Sequence, residues 1–529
     1  MNLERKNSES RQTTLIAALR NSHAYPHQVS PIELIETHIS WVVLTGEFAY
    51  KIKKAVQLDF LDFSTLDRRE HYCREELRLN RQWAPQLYLE VIPICGSYDR
   101  PSVGGKERPI EYALKMMQFP QSAQLDNQLA SGLLREEDVY RLAETIAEYH
   151  GRAQIIEYAN DKESVGKVRA PMIDNFAPVQ QTIDMDVLGR VQVWTASSLS
   201  DLKPALIERR KTGFVRECHG DLHLSNLVRL EEGIVAFDCV EFSAELRNID
   251  VVSDIAFLVM DLVGSARQDL AHVFLNRYLE CTGDYPGMAV FGLYFVYHSM
   301  IRAKVAAIRS AEREDDVDRQ RDIERLKHNL AVAARWIDRP KPILIAMHGY
   351  SASGKSWLSS QLLSRLPAVR VRSDIERKRL FGLDEMASSE SRPAEGIYTD
   401  TSNRSIYRHL ITTAEQLLDA GFNVIVDASF LRQGDRLSLR NLADRRNMSY
   451  AFVAVSAAED ELDKRIQERS MRGENVSEAG AEVLKHQYEN SVPLSAKERE
   501  QAVYVATDKA VDVRSVIRQI ETVINSLQE

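Results

Sequence analysis

Residues 349–356, Gly-Tyr-Ser-Ala-Ser-Gly-Lys-Ser, constrain the fold of this chain more than any other segment. They fit G-x-x-x-x-G-K-[ST] at each fixed position, between an apolar run at 343–347 and a helical run at 357–366. In such a loop the backbone N–H groups hold phosphate oxygens, the lysine reaches the β- and γ-phosphates, and the final hydroxyl binds magnesium. The predicted nucleotide-binding residues are Gly349, Ser351, Ala352, Ser353, Gly354, Lys355 and Ser356, of which Ser356 is also a predicted metal ligand.

The rest of this C-terminal half alternates short apolar runs with helical patterns. Strands separated by helices favour a parallel, doubly wound sheet with both faces covered, so the fold class here is an α/β P-loop domain. The predicted strands are 343–347, 369–372, 424–427, 451–455 and 503–506.

Two acidic residues stand at the ends of these strands. Asp427 ends the third strand, where a carboxylate can hold magnesium through water. Asp374 follows the second strand, at the carboxyl edge where ligands bind, and is the candidate for orienting a substrate hydroxyl, with Arg377 nearby for an anionic substrate. Helix capping is the alternative for both carboxylates.

Three arginines recur at helical spacing further along. Arg465, Arg469 and Arg472 are four and three residues apart, which places them on one face of a helix. Such a face can contact an anionic ligand, with Arg465 as a candidate for nucleotide binding and Arg469 for catalysis. A solvated charged face is the alternative, because acidic residues lie among the arginines.

A second motif lies in the N-terminal half, at residues 219–226, His-Gly-Asp-Leu-His-Leu-Ser-Asn. Asp221 and Asn226 have the D-x-x-x-x-N spacing of a kinase catalytic loop, in which the aspartate orients the attacking hydroxyl and the asparagine binds metal. Asp238 ends the strand-like run that follows, where a second magnesium ligand is expected. His219 is expected to brace the loop.

These residues resemble the aminoglycoside phosphotransferase and choline kinase group, which has a protein-kinase-like fold. The resemblance implies that Asp221 is the catalytic base and that Asn226 and Asp238 bind magnesium. Residues 48–51, Phe-Ala-Tyr-Lys, are similar to the V-A-I-K strand whose lysine pairs the ATP phosphates. This favours Lys51, with Lys53 as the rival on the same strand face.

The resemblance also implies an ion-pair partner for that lysine. It would be a glutamate of the following helix, Glu76 ahead of Glu75. No G-x-G-x-x-G precedes Lys51, so the loop that covers the phosphates must be built differently. In the same family an aspartate after the catalytic loop supports it structurally, which is the reading given to Asp250 and Asp254.

The start of the chain predicts an α+β lobe. Two strands around Thr45-Gly46 form a hairpin, a helix runs from Ser64 to about Trp83, and further strands lie at 87–94 and 111–118. Beyond them the chain is mostly helical, including 293–308 and 316–337.

Arg339-Pro340-Lys341-Pro342 then stops the last of these helices, which marks a domain boundary. The predicted organisation is a bilobal kinase-like domain at 1–335 (small lobe about 1–118, helical lobe about 119–335), a Pro-containing linker at 336–342 and a P-loop domain at 343–529.

The C-terminal half resembles the small P-loop kinases, a group that includes gluconate kinases, polynucleotide 5′-kinases and zeta-toxin-like enzymes. In that group an arginine-rich lid closes over the phosphates. The two halves in this order resemble a bacterial fusion of an aminoglycoside phosphotransferase-like domain with an ATP-binding domain.

Composition and charge limit the partners and the cellular location that we expect for this chain. A net charge of −9 provides no global basic field for nucleic acid, and five scattered cysteines indicate neither a disulfide framework nor a zinc site. The first residues are polar, without the apolar core of a secretory signal, and no apolar run is long enough to span a bilayer. We expect a cytoplasmic protein without a membrane partner.

The expected activity is that of a bifunctional phosphotransferase using ATP and Mg²⁺, with each half acting on a hydroxyl group of a small molecule. One alternative makes one half a nucleotide-binding regulatory module. The other makes the P-loop half a polynucleotide 5′-hydroxyl kinase, which the acidic charge of the chain disfavours.

Overall fold

The computed structural model describes residues 2–58, 61–183, 185–385, 387, 397, 399–472 and 481–525, and for 2–9, 164, 185, 469–472 and 481 it describes the backbone alone. The chain divides into two compact units. Unit 1 comprises Met1–Asp138, Arg152–Ala159 and Arg210–Leu258, and unit 2 comprises Val139–Gly151, Asn160–Arg209 and Val259–Glu529. The predicted linker lies within unit 2, and the predicted domain ranges stay predictions.

The strands are β1 (Glu33–Glu36), β2 (Ser40–Leu44), β3 (Phe48–Lys53), β4 (Gln57–Leu58), β5 (Leu61–Asp62), β6 (Tyr88–Ser97), β7 (Arg100–Val103), β8 (Glu111–Met117), β9 (Val215–Glu217), β10 (Leu227–Leu230), β11 (Gly233–Ala236), β12 (Asn248–Asp250), β13 (Leu344–His348), β14 (Ala368–Arg372), β15 (Asn423–Asp427), β16 (Tyr450–Ser456) and β17 (Ala502–Ala506).

The helices are α1 (Asn2–Ala18), α2 (Leu66–Trp83), α3 (Leu125–Ala130), α4 (Glu136–Arg152), α5 (Asp161–Asp174), α6 (Phe176–Gln180), α7 (Met185–Asp201), α8 (Lys203–Lys211), α9 (Ala244–Arg247), α10 (Val251–Gly264), α11 (Gln268–Thr282), α12 (Met288–Glu312), α13 (Asp316–Ile337), α14 (Lys355–Leu363), α15 (Ser373–Leu380), α16 (Asp400–Asp419), α17 (Gln433–Arg446), α18 (Glu459–Arg472), α19 (Ala481–Asn490), α20 (Ala496–Glu500) and α21 (Val513–Asn525).

Unit 1 is built on a six-stranded antiparallel sheet with the order β1-β2-β3-β8-β6-β7. The predicted hairpin is present, because β2 and β3 pair with Leu44 opposite Ala49. Gly46 in its turn has a φ of 101°, a conformation that glycine adopts without a Cβ penalty. The predicted strands at 87–94 and 111–118 are β6 and β8, so the strand-rich start of the fold is confirmed.

Helix α2 packs against β6 and β8 through one buried face. Its buried residues recur every three or four positions and include Cys73, Glu76 and Leu79, which places Glu76 in the interior of the unit. The expectation that Ser64 opens this helix is wrong by one residue. Thr65 is the N-cap, and its Oγ accepts a hydrogen bond from the Arg68 N–H at 3.3 Å.

Unit 2 contains a five-stranded parallel sheet in the order β14-β15-β13-β16-β17. Each predicted strand of this half is present, and β13 is central, with Leu344 opposite both Val424 and Tyr450. From β13 the chain crosses to the β14 edge and later returns to the other side through β16 and β17. The predicted parallel, doubly wound α/β fold is therefore confirmed.

Long helices of unit 2 precede this sheet. Helices α12 and α13, which the apolar periodicity predicts, pack together around Val296, Met300 and Leu330. At the end of α13, the Trp336 ring stacks on Phe295 with centroids 4.5 Å apart and meets Phe422, just before β15, at 5.7 Å. No helix in the described part of the chain combines the length and the apolar character needed to cross a bilayer.

Candidate active sites

In unit 1, Lys51 of β3 meets carboxylates from two other segments. Its ammonium donates to Glu76 Oε1 at 2.7 Å and also contacts Asp238. Burial alone would lower the pKa of Lys51, but the two carboxylates outweigh it and raise that pKa well above its usual value. The structure thus brings together three of the predicted site residues around one buried charge.

Lys53 lies beside Lys51 and shares the same glutamate. Its ammonium donates to Glu76 Oε2 at 2.7 Å and contacts Glu241 instead of Asp238. Burial raises the pKa of Glu76, but the two lysines more than compensate and lower it to about 2. Both lysines contact Glu76, so this contact does not show which of them matches the predicted phosphate-binding lysine. The contact with Asp238 distinguishes them, because Lys51 makes it and Lys53 contacts Glu241 instead.

Glu75, the alternative partner for the lysine, points elsewhere. Its carboxylate accepts from Arg78 at 2.7 Å and from Arg247 at 2.8 Å. These arginines lower the pKa of Glu75 by hydrogen bonding and charge. The structure therefore places Glu76, and not Glu75, with the lysines.

The catalytic-loop motif joins Asp221 and Asn226 directly. Asn226 Nδ2 donates to Asp221 Oδ2 at 2.9 Å and to the Asp221 carbonyl oxygen at 3.0 Å. The loop turns at Gly220, where φ is 82° and a Cβ would lie 2.7 Å from the Leu246 carbonyl oxygen. Glycine at this position therefore sets the close backbone approach that presents Asp221.

His219 braces the loop through hydrogen bonds with backbone groups, as expected. Its Nδ1 accepts from the Asp221 N–H at 3.3 Å, so Nε2 carries the proton that is donated to the Phe237 carbonyl oxygen at 2.9 Å. Burial lowers the pKa of His219, which keeps the ring neutral. Asp254 supports the same turn by accepting from the N–H groups of His219 and Gly220, each at 3.0 Å.

A short hairpin brings the two predicted magnesium ligands to one end. Strands β10 and β11 pair, and the Phe237 N–H donates to the Asn226 carbonyl oxygen at 3.0 Å. Asp238 follows with a φ of 63°, and its N–H donates to Tyr88 Oη at 2.9 Å. Because Asn226 Nδ2 faces Asp221, its Oδ1 is turned away, and a side-chain oxygen with a carboxylate suits magnesium.

In unit 2, residues 349–356 form a tight loop between β13 and α14. Gly349 and Gly354 have φ values of 143° and 90°, and a Cβ on Gly349 would lie 2.2 Å from the Val455 carbonyl oxygen. Helix α14 starts at Lys355 without a side-chain cap, so its first N–H groups are available to an anion. Lys355 Nζ donates to the Tyr350 carbonyl oxygen at 2.6 Å.

The P-loop is also held from outside. Arg465 Nη1 donates to the Ala352 carbonyl oxygen at 3.2 Å, and its Nη2 donates to the Thr507 carbonyl oxygen at 2.8 Å. Thr507 Oγ1 in turn donates to the Ser353 carbonyl oxygen at 2.7 Å. The side chains of Arg469 and Arg472 lie outside the described residues, so the predicted arginine face is described at Arg465 only.

Two further contacts of the loop escape sequence reasoning. Ser351 exchanges two hydrogen bonds with Gln487 of α19, from its N–H at 2.8 Å and to its Oγ at 2.9 Å. Thr507 follows β17, and its place at the carboxyl edge of a predicted strand is the signal that could have identified it. Gln487 offers no comparable signal, because it lies in an ordinary helical pattern.

Asp427 and Asp374 occupy the carboxyl edge of the sheet as predicted. Asp427 is buried and its Oδ2 accepts from Ser359 Oγ at 3.0 Å, while its Oδ1 accepts no hydrogen bond from the described residues. Helix α17 begins six residues later with Arg432 as N-cap, so Asp427 does not cap it. A free carboxylate oxygen near the P-loop helix, together with the Ser356 hydroxyl, is a donor set that fits magnesium.

Asp374 lies in the first turn of α15, whose N-cap is Arg372 without a side-chain cap bond. The helix-capping alternative is therefore absent. Within the described part of the chain the half-buried Asp374 carboxylate makes no hydrogen bond and no ion pair, so it is available to a ligand. Arg377 is buried and donates to the Ile397 carbonyl oxygen at 2.7 Å, which does not favour its expected contact with an anionic substrate.

The two units carry different phosphate-binding architectures. Unit 1 has the strand lysine with its helix glutamate, the catalytic-loop Asp and Asn, and the aspartate after the next strand, in the order of a protein-kinase-like fold. Unit 2 has a P-loop on a parallel α/β sheet. The chain therefore contains kinase-type phosphotransferase folds in both regions.

Similarity to known proteins agrees with this division. Residues 344–494 match a family model described as an AAA domain. Over 465 residues the chain is 29% identical to an uncharacterized protein of Mycobacterium tuberculosis, a match that covers 87% of this chain and 90% of the relative.

Solved structures with partial similarity include two kinases. Choline kinase from Cryptosporidium parvum is 12% identical with a TM-score of 0.39, covering 62% of this chain and 96% of its own. A gluconokinase from Sinorhizobium meliloti is 19% identical with a TM-score of 0.24, covering 36% of this chain and 94% of its own.

Proposed function

We propose that this protein is a bifunctional phosphotransferase that uses ATP and Mg²⁺ in the cytoplasm, with each region transferring the γ-phosphoryl group to a hydroxyl of a small molecule. The observation that supports it is that one chain holds two separate arrangements for phosphate. One is centred on Lys51 with Glu76 and Asp238, and the other on the loop before Lys355.

At the first site, Lys51 would hold the ATP phosphates while Glu76 fixes its position. Asp221 would accept the proton of the attacking hydroxyl, or orient it, because its carboxylate is anchored by Asn226 at 2.9 Å. Asn226 and Asp238 would hold magnesium. When bound, that ion supplies neutralisation of the phosphate charge.

At the second site, the backbone N–H groups of the P-loop and Lys355 would hold the phosphates. Ser356 and Asp427 would hold magnesium, and Asp374 would orient the acceptor hydroxyl from the edge of the sheet. Arg465 is already fixed on the P-loop backbone, so it would contribute positive charge with little rearrangement. Arg469, one turn later, would complete the closed face.

The acceptors are proposed to be small molecules rather than nucleic acid. A net charge of −9 gives polynucleotides no general attraction to this chain. The test is binding of a 5′-hydroxyl oligonucleotide at low and high salt, because binding through phosphates weakens steeply as salt rises. Salt-sensitive, Lys355-dependent binding of the oligonucleotide would contradict the small-molecule assignment.

A second candidate for the P-loop region is regulation by bound ATP without turnover. It is favoured by the aromatic contact between Trp336 and Phe422, because this contact joins the start of the predicted linker, at the end of α13, to the residue before β15. Arg339 of that linker also lies 3.6 Å above the Trp336 ring. A nucleotide-dependent change in the sheet would then reach the preceding helices.

The deciding experiment measures ATP consumption and phosphoryl transfer against a library of hydroxyl-bearing metabolites. Wild type, Asp221→Asn and Lys355→Ala are compared, with the exposed-residue variants Glu232→Gln and Lys509→Ala as matched controls. Activities lost separately in the two site variants would support two kinases. If ATP binds at the Lys355 site but Lys355→Ala loses no turnover, the result would instead support the regulatory function.

A further inference from the structure

The edge strand of the unit 2 sheet is covered by a helix that precedes the P-loop region in sequence. Strand β14 lies at one end of the sheet, so among the described strands none pairs with one side of its backbone. Asn276 of α11 fills this place. Its Oδ1 accepts from the Arg370 N–H at 2.6 Å, and its Nδ2 donates to the Ala368 carbonyl oxygen at 3.0 Å.

One turn further along the same face of α11, Glu280 meets the side chains of that strand. Its Oε1 accepts from Arg370 Nη2 at 2.7 Å, and its Oε2 lies 3.6 Å from Arg372 Nη1. Glu280 and Arg370 are both buried. Burial raises the pKa of Glu280, but Arg370 and Arg372, together with Arg277 of the same helix, more than compensate and lower it, so the carboxylate is ionised in the folded protein.

Arg370 continues the contact to the helix of the P-loop. Its Nη1 donates to Ser359 Oγ at 3.1 Å and to Ser360 Oγ at 2.5 Å. Since Ser359 Oγ accepts from the arginine, its own hydrogen is left to donate, and its two acceptors are Asp427 Oδ2 at 3.0 Å and the Ser356 carbonyl oxygen at 3.1 Å. A buried chain of contacts therefore runs from Glu280 through Arg370 and Ser359 to the predicted metal ligand Asp427.

We infer that Glu280 is a positioning residue for the P-loop site, acting through Arg370 and Ser359 on the orientation of Asp427. The inference rests on the proposed function only in taking Asp427 as the carboxylate that faces the metal of a bound nucleotide. Glu280 lies in α11, which the sequence analysis assigns to the kinase-like domain at 1–335, but it would act in the P-loop site.

The physical reason is that Arg370 influences where the Ser359 hydroxyl donates. A buried guanidinium without a carboxylate partner moves toward other acceptors, which here are Ser360 Oγ at 2.5 Å and Ser359 Oγ at 3.1 Å, and the Ser359 hydroxyl also serves Asp427. Loss of Glu280 therefore frees Arg370 to reorient and leaves Ser359 without a defined donor direction. Removing such an outer partner of a metal ligand typically costs about 10- to 100-fold in metal affinity or activity.

The test uses the full chain and two binding measurements. Binding of a fluorescent ATP analogue is titrated with and without Mg²⁺, and Mn²⁺ binding in the presence of the analogue is followed by electron paramagnetic resonance. Each variant is compared with the same variant carrying Lys355→Ala, and the difference isolates the P-loop site. For Glu280→Gln we expect metal affinity at this site to fall about tenfold, while metal-free nucleotide binding changes less than about threefold.

A matched control comes from the end of the same helix. Asp284 is a buried carboxylate just beyond α11 that is paired with Arg209, with both oxygens accepting at 2.8 Å. Asp284→Asn therefore removes an equivalent buried ion pair. Equal loss of metal affinity in Asp284→Asn and Glu280→Gln would reduce the role of Glu280 to general stability and overturn the inference.

Ser359→Ala tests the same chain at its next position, with a small change that the helix tolerates. We expect Ser359→Ala to lower metal affinity to the same extent as Glu280→Gln, and the double variant to be no worse than either single one, because both interrupt one route. Additive losses, or wild-type metal affinity in Ser359→Ala, would overturn the inference even if Glu280→Gln does not fold. Absence of Lys355-dependent nucleotide binding in the wild type would instead refute the proposed function.

Discussion

The ammonium of Lys51 contacts the carboxylate of Asp238, although 187 residues separate them in the sequence. This contact joins β3 of the unit 1 sheet to the second residue after β11. Lys51 also binds Glu76, so one cation lies between a buried glutamate and a carboxylate that is 43% exposed. Lys51 and Lys53 therefore differ in which carboxylate loses its cation when the lysine is replaced.

Lys51→Met is expected to reduce phosphoryl transfer at the first site by about 100-fold or more, because the preorganised positive charge that would hold the phosphates is lost. Its effect on the free energy of unfolding is expected to be small, because Glu76 keeps Lys53 and Asp238 reaches water. Transfer rates and urea unfolding measured on the same preparations check both parts.

Lys53→Met provides the matched comparison. It leaves Glu241 buried without its lysine, so we expect a loss of about 3–5 kcal/mol in the free energy of unfolding. Catalysis by the molecules that remain folded should fall much less than in Lys51→Met. The opposite pattern, with activity lost in Lys53→Met and stability lost in Lys51→Met, would assign the phosphate role to Lys53.

Asp221→Asn is expected to lower the transfer rate at the first site by about 10²- to 10⁴-fold, the usual contribution of a general base. Nucleotide affinity should change little, because Asn226 can still bond to the oxygen of the new amide and the Asp221 backbone contact stays. Isothermal titration with an ATP analogue and single-turnover rates separate the two quantities. An unchanged rate would remove Asp221 from the mechanism.

Sequence reasoning predicts those features that local pattern encodes. The alternating and continuous apolar runs locate each strand of the parallel sheet, and the glycine spacing locates the loop before Lys355. The spacing of Asp221 and Asn226 indicates the catalytic loop, whereas Lys51 and Glu76 come from the resemblance to the kinase group. The structure places Glu76 on the face of α2 that also buries Cys73 and Leu79.

The contacts that reach the P-loop region from other segments could not be predicted. Glu280 lies in an ordinary amphipathic helix, and only the packing of α11 on β14 brings it to Arg370. Gln487 and Thr507 reach the P-loop for the same reason. Arg377, in contrast, has the right spacing for a ligand contact but is buried against the Ile397 carbonyl oxygen, which spacing alone does not reveal.

Gly349→Ala is expected to abolish nucleotide binding at the P-loop site and to destabilise unit 2 by about 2 kcal/mol or more, because the new Cβ meets backbone at a strained φ. Gly434→Ala is the control. Nothing lies within 4 Å of its Cβ position in α17, so the change should be neutral or stabilise by about 0.5–1 kcal/mol. Nucleotide titration and thermal unfolding check both, and normal binding by Gly349→Ala would contradict the steric argument.

His348, at the end of β13, is expected to make the protein less stable as pH falls from about 6.5 to 4. Burial lowers the pKa of His348 to about 4, below the ordinary value of 6.5, so in this window the unfolded chain binds a proton that the folded chain does not. Above pH 6.5 the ring is neutral in both states and contributes no pH dependence.

His348→Asn keeps a donor for the Phe430 carbonyl oxygen, which Nδ1 contacts at 3.1 Å, and removes the titration. Urea unfolding at each pH should therefore show a slope reduced by up to about 1.4 kcal/mol per pH unit between pH 4 and 6.5, with unchanged slopes at higher pH as the internal control. An equal slope in variant and wild type across this window would show that His348 does not titrate as its burial requires.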